Sequence, residues 1–338
     1  MHFDKGRDHE RAVEYRYRAA QNALQRSAHR EAIDHLMKGL QLVADLPDTA
    51  ERRQRELTLQ IVLGVPLTAT KGYAAPEVER AYGRALELSE QVSETSQIAQ
   101  ALLGLWVFYA LRADLQTAHR LAERSLRHIQ RLHAADLALD AHNALGTILL
   151  WLGVPARARR HLEQGLALHH ARQQRTSVLH DLTDPGVACL SNLSWALWHL
   201  GYPDQALKRS EEALTLARDL AQPYSLSYAL NFRAALHCFR REERQTQEQA
   251  EATIAVCREQ EFPFYLATGT ILRSWALVQR SRGQEELSHM HQGLAAFQAI
   301  GAQLSRTAFL ALLAESYGKS GRLCLPVLPG PLDKLRVM

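Results

Sequence analysis

The run with the most catalytic character is Gly318-Lys319-Ser320, which has the ending of a phosphate-binding loop. Such a loop needs a further Gly five residues before the Gly-Lys pair, on a turn after a strand, so that backbone amides surround a phosphate. Position 313 is Leu and the residues before Gly318 follow a helical pattern, so these three read as a helix end and its turn. Sixteen histidines invite a metal reading. A helical metal pair needs i,i+4 spacing and a third ligand close by. His169-His170 are adjacent, His289 and His291 stand two apart, neither pair shares a helix face, and no HExxH occurs. Surface and interface histidines are expected, with no metal and no cofactor. The pairs Glu211-Glu212, Glu242-Glu243 and Glu285-Glu286 sit beside turns, where carboxylates offset the partial positive charge of helix starts. No nucleophile elbow supports any Ser, His and Asp combination. Cys189, Cys238, Cys257 and Cys324 have no metal-type spacing and read as buried thiols of a reducing compartment. The expectation is a binding module, not an enzyme.

Binding residues need elements to hold them. Gly and Pro cluster between long stretches rich in Ala, Leu, Arg, Glu and Gln, a composition that favours helix almost everywhere. In Val187 to Leu220 a first helical stretch ends at Leu200-Gly201, Tyr202-Pro203-Asp204 turns, and a second stretch carries Ala206 and Ala213 seven apart on one face. Small residues let two antiparallel helices approach closely, and the Pro-containing turn separates them. This is the tetratricopeptide pattern, and it recurs. Gly153-Val154-Pro155 precedes Ala158 and Gly165; Arg112-Ala113-Asp114 precedes Ala118 and Ser125; Arg240-Arg241-Glu242 precedes Thr246 and Thr253. Gly283-Gln284 precedes Ser288 and Ala295, and Ser27-Ala28 precedes Ala32 and Gly39. Leu57 to Gln91 fits with a longer turn at Lys71-Gly72-Tyr73 and Pro76. Clear units start near 99, 139, 187, 227, 269 and 307, about forty residues apart.

The predicted fold is all-α: a tetratricopeptide-like α-solenoid, a right-handed superhelix of antiparallel helix pairs. About seven to eight pairs span residues 1–321, with an inserted loop at 172–186 that ends in an Asp-Pro-Gly turn. Residues 322–338 form a Pro-containing irregular tail that cannot supply the last partner helix, which marks the chain as a piece of a longer array or the tail as foreign to it. Net charge is +4, and ten Arg against five acids lie between Arg112 and Arg175. Without denser clustering or a recognition motif this is a solvated face, so no nucleic acid is expected. The N-terminal MHFDKGRDHE lacks the apolar core of a signal peptide, and the longest apolar run, Ala101 to Leu111, is half of what a bilayer requires. A cytoplasmic protein with no membrane partner is expected.

In such arrays the first helix of each pair lines a concave groove. The inward positions give Asn143, Leu150 and Trp151; Trp195, Trp198 and His199; Tyr228, Asn231 and Phe239; and Arg273 and Arg280. Aromatic rings with Asn and Arg are the residue types that anchor a protein or peptide partner. Any single ring among them also has an ordinary place in helix packing.

The runs GRDHERAV, RSAHREAIDHL, LPDTAERRQRELTLQ, ATKGYAAPEVERAY, DPGVACLSNLSWALWHLGYPDQALKRSEEALTLAR, FPFYLATGTILRSWALVQ and FLALLAESYGKSG carry a resemblance across residues 7 to 321. They resemble the C-terminal tetratricopeptide-repeat region of bacterial signal-transducing AAA-type ATPases fused to nucleotide cyclase or kinase domains. The resemblance implies a regulatory role in signalling and a protein partner, which includes a cyclase or ATPase domain. Neither a cyclase nor an ATPase sequence is present here, so those activities belong to parts outside this chain. A second reading, from another class, is a small-ligand sensor that binds a metabolite in the superhelix groove.

Overall fold

Small residues and closely similar turns set the architecture. The computed structural model describes residues 9–92, 95–132, 135–171, 182–281 and 284–321. Among these are fifteen helices, of which the first fourteen pair in chain order. The first three pairs are α1 (His9–Gln25) with α2 (His29–Ala44), α3 (Ala50–Lys71) with α4 (Pro76–Val92), and α5 (Thr95–Leu111) with α6 (Leu115–Leu132). The next are α7 (Ala135–Trp151) with α8 (Pro155–Ala171), and α9 (Pro185–His199) with α10 (Pro203–Leu220). Then come α11 (Pro223–Phe239) with α12 (Glu243–Gln260) and α13 (Pro263–Ser281) with α14 (Gln284–Ala299), and α15 (Arg306–Lys319) stands as a further first helix.

The small residues lie where helices touch. Ala206 and Ala213 are buried, and a Cβ on Gly146 would fall 2.5 Å from Leu162 Cγ, so α7 and α8 approach as only glycine allows. Five turns inside pairs share one geometry. The residue two before the second helix is left-handed: Ser27, Ala113, Gly153, Gly201 and Arg241, with φ of 57, 64, 77, 84 and 61°. The next amide then donates back to a carbonyl five residues earlier, as in Asp114 to Tyr109 and Tyr202 to Leu197, both at 2.9 Å. That bond closes the first helix.

Two sequence expectations change. First helices begin earlier than the units read from small-residue spacing, at Pro223 and Pro263 instead of 227 and 269. Proline at the first helical position has its φ preset and loses no hydrogen bond there, so it starts the helix. The Asp-Pro-Gly sequence at 184–186 is likewise a helix start, not a loop end. Asp184 is the N-cap, its Oδ1 accepting from the Val187 amide at 3.0 Å, and Pro185 opens α9. Residues 1–8, most of the insertion (172–181) and the tail 322–338 with Cys324 lie outside the described residues. No helix among the described residues is long and apolar enough to cross a membrane, and in α5 the apolar run is core, with Ala101, Leu102, Leu105, Phe108 and Ala110 buried.

The array also closes on itself. The α3–α4 turn meets the α14–α15 turn, where a Cβ on Gly301 would strike the Ala74 carbonyl oxygen at 2.9 Å. The Leu111 carbonyl, at the end of α5, accepts from the Gln303 and Leu304 amides at 2.7 and 3.0 Å. Arg30 pairs with Glu261 at 2.7 Å, and the His29 ring lies 5.9 Å from that of Phe262. Val65, Ala69 and Tyr73 share one buried cluster with Leu182, Tyr224, Cys257, Phe262 and Tyr265, which are far away in sequence.

Candidate functional site

Closure encloses a cavity of about 570 Å³, walled chiefly by the first helices α3, α5, α7, α9, α11, α13 and α15. Each gives one helical stripe: on α7 it is Leu137, Asp140, Asn143, Thr147 and Leu150, at spacings of three and four that keep one face inward. Aromatic rings run round the wall in contact. Trp151 meets Trp195 at 6.0 Å between centroids, Trp195 stacks on Phe232 at 4.3 Å, and Phe232 stacks on Tyr228 at 4.4 Å. The series continues through Tyr265 (5.8 Å), Phe264 (5.0 Å), Phe297 (5.6 Å) and Phe309 (5.3 Å). Tyr73 reaches in from the α3–α4 turn, edge-on to Phe264 at 5.4 Å and with its hydroxyl 3.4 Å from that of Tyr265.

Polar groups tie neighbouring first helices together. Asn192 of α9 donates from Nδ2 to the Tyr228 hydroxyl of α11 at 2.9 Å and stands 3.5 Å from Asn143 Oδ1 of α7. Thr268 of α13 donates to Asn231 Oδ1 at 2.8 Å, and Trp195 Nε1 donates to the Phe232 carbonyl at 3.0 Å. Burial raises the pKa of Tyr228 and Tyr265, pushes the Cys238 thiol up to about 12, and lowers that of His199. These groups are therefore uncharged at neutral pH.

A tetratricopeptide-repeat profile matches residues 187–223, the α9–α10 pair and its exit. The Rap protein solved in complex with Competence and Sporulation Factor superposes with a TM-score of 0.65 over 92% of this chain and 83% of that one, at 10% identity. The apo form of RapI gives 0.60 over 85% and 98%, at 12% identity. The chain is a tetratricopeptide-like α-solenoid. A Signal Transduction ATPase with Numerous Domains protein with a tetratricopeptide repeat sensor, from Pyrococcus horikoshii, aligns at 0.48 over 89% of this chain and 44% of that one, at 13% identity, a likeness too slight to bear on function. No curated protein sequence matches this chain. At these identities the likeness to the Rap structures is one of fold.

Within the solenoid, Asn143, Leu150, Trp151, Trp195, His199, Tyr228, Asn231 and Phe239 all reach the cavity wall. Trp198, Arg273 and Arg280 do not. Arg240 lies over the Trp198 ring at 6.0 Å; Arg273 pairs with Glu251 and Glu286, and Arg280 bonds Gln247. On α13 the wall residues are Phe264, Tyr265, Thr268 and Leu272, so Arg273 is turned about 100° from Leu272 by a one-residue offset. Sequence reading missed Asp140, Phe232, Tyr265 and Tyr73. The first three follow from carrying the i,i+3/i+4 stripe along each helix from its true start. Tyr73 had no such signal, because only closure of the array brings it to the wall.

The chemistry weighed from the sequence falls elsewhere. Gly318-Lys319-Ser320 ends α15, with Ser320 Oγ bonding the Ser316 carbonyl. His291 bonds the Tyr317 hydroxyl at 2.7 Å and His289 faces Glu286 at 3.4 Å. Glu211 pairs with Arg233, Glu212 with Arg209, and Glu242 with His237 and Arg240. Among the described residues no three His, Cys, Asp or Glu side chains could share a metal ion.

Proposed function

We propose that this chain is a non-catalytic protein-interaction module of a signalling protein, cytoplasmic, and that its central cavity receives a segment of a protein partner. One observation carries this: eight anchor-type residues drawn from α7, α9 and α11 converge on a single enclosed aromatic wall. A partner segment entering there would exchange water for rings already held in place by their neighbours, so little ordering is lost on binding. The Rap likeness, including a complex with Competence and Sporulation Factor, supports a fold of this kind acting as a receptor. The sequence resemblance to ATPase-coupled signalling proteins makes their cyclase, kinase or ATPase domains the first partners to examine. A second reading has its own support: a cavity of about 570 Å³ is in the size range of small-molecule sites, which suits a metabolite sensor.

Peptide selection against the whole chain tests the first reading. Binders are re-measured on the double variant Asn143→Ala/Asn231→Ala, whose fold is checked by helical circular dichroism. A loss of about ten-fold or more is expected, the order of two lost hydrogen bonds. Unchanged binding in a folded variant removes the cavity as the site. Stabilisation by members of a metabolite library, with no peptide selected, favours the sensor instead.

A further inference from the structure

The turn after α15 has the form that leads into a second helix, and among the described residues no second helix follows. Gly321 is left-handed, with φ of 73°, two residues after α15; Ser27, Ala113, Gly153, Gly201 and Arg241 stand in the same place after α1, α5, α7, α9 and α11. Its amide donates to the Gly318 carbonyl at 3.1 Å, as that of Gly201 does to Trp198 at 3.0 Å. In the five earlier cases this turn sends the chain back along the helix it has just left. A chain leaving Gly321 on that course runs back along α15.

The face it meets is open. On α7, the residues fourteen, eleven and seven before the turn glycine are Leu139, His142 and Gly146. A Cβ on Gly165 of α8 would lie 3.3 and 3.6 Å from the first two, and one on Gly146 would strike Leu162 of α8, so this is the seat of the second helix. The same count on α15 gives Thr307, Leu310 and Ala314. The outer two places are buried on α1 (Val13, Ala20), α9 (Val187, Ser194) and α11 (Ser227, Ala234). On α15, Thr307 and Ala314 are exposed, Leu310 is half-buried, and a Cβ on Gly318 would meet nothing within 4 Å.

The sequence continues Arg322-Leu323-Cys324-Leu325-Pro326-Val327-Leu328, apolar in all but its first residue, with further prolines at 329 and 331. Pro326 has no amide to give and restricts the residue before it, which bars the helix that fills this seat in the other pairs. An extended chain advances about 3.2 Å per residue and a helix about 1.5 Å. Seven extended residues therefore cover about 22 Å, close to the roughly 21 Å that α15 and its turn span from Thr307 to Gly321. We propose that residues 322–328 lie as an extended strap along the outer face of α15, in the place of a second helix. Cys324 comes level with Ala314, and Leu328 reaches Thr307. Phe309 and Leu312 of the same helix line the cavity, so the strap closes the end of the array and steadies one side of the wall.

Cys324 reports on the strap in the full chain, because Cys189, Cys238 and Cys257 are buried. Its labelling by 5,5′-dithiobis(2-nitrobenzoate), followed by peptide mass spectrometry, is expected to be at least about ten-fold slower in the native chain than in urea, since access as well as ionisation governs a thiol. Leu325→Asp, in the strap, and Ala314→Arg, on the exposed face where a longer side chain has room, should each bring Cys324 close to its rate in urea, with helical circular dichroism unchanged. Mild oxidation of the Ala314→Cys chain should join positions 314 and 324. The Thr307→Cys chain should not join to Cys324, because Cα atoms more than about 7 Å apart do not bridge. Cys324 labelled in the native chain as fast as in urea, protection that survives both variants, or cross-linking to position 307 as fast as to 314 each overturn the proposal. Protection that fades on dilution, together with a dimer-to-monomer change in sedimentation, overturns it too and assigns the face to a second copy of the chain.

Discussion

His29 shows how one residue couples burial to pH. It opens α2 at the closing seam, is buried against Phe262, and has its pKa lowered to about 4 by loss of hydration. The unfolded chain takes up that proton near the ordinary value of 6.5, so the native state binds fewer protons between the two values. Stability is therefore full above pH 6.5 and declines as the pH falls toward about 4. His128, His142, His161, His199 and His237 are lowered as well, chiefly by burial, and act in the same direction. Between pH 7 and 5, His29 alone should remove about 2 kcal/mol. Urea midpoints measured across that range should fall, and His29→Phe should flatten part of the slope. A midpoint that stays level, or a slope unchanged in the variant, contradicts the burial of a neutral ring here.

At the scale of the element, α9 depends on how it starts. Asp184 is buried, caps the helix through its carboxylate, and donates its own amide to Ser225 Oγ of α11 at 2.8 Å. One residue thus fixes the first turn of α9 and its distance from α11, the two helices that carry Trp195, Tyr228 and Asn231. Asp184→Ala should cost about 1–2 kcal/mol in thermal unfolding, while Asp184→Asn should retain most of the cap. Similar losses for both would mean that the negative charge, not the cap geometry, matters. Element boundaries were legible where the sequence punctuates itself, as at Leu200-Gly201-Tyr202-Pro203. They were misread at Pro185, Pro223 and Pro263, because small-residue spacing reports where helices touch and not where they begin.

Over the whole molecule, the closed ring makes the cavity. Tyr73 joins the α3–α4 turn to Tyr224, Phe264 and Tyr265, and the Leu111 carbonyl takes the Gln303 and Leu304 amides next to it. Tyr73→Ala should cost about 3–4 kcal/mol, as for other buried aromatic truncations. Hydrogen exchange should quicken first at the Gln303 and Leu304 amides, with α9 and α10 amides protected as before. Uniform acceleration along the chain would show that the seam has no stability of its own. By itself the sequence determined the helix pairs, their order and most inward positions on α7, α9 and α11, because three-and-four spacing and small contact residues are local and survive without a fold. Only the tertiary structure decided that the array closes and that Tyr73 and Phe309 face one space. Those contacts join residues far apart in the chain, and the small rotation that each stacked pair adds to the last sets them, a quantity that no local pattern encodes.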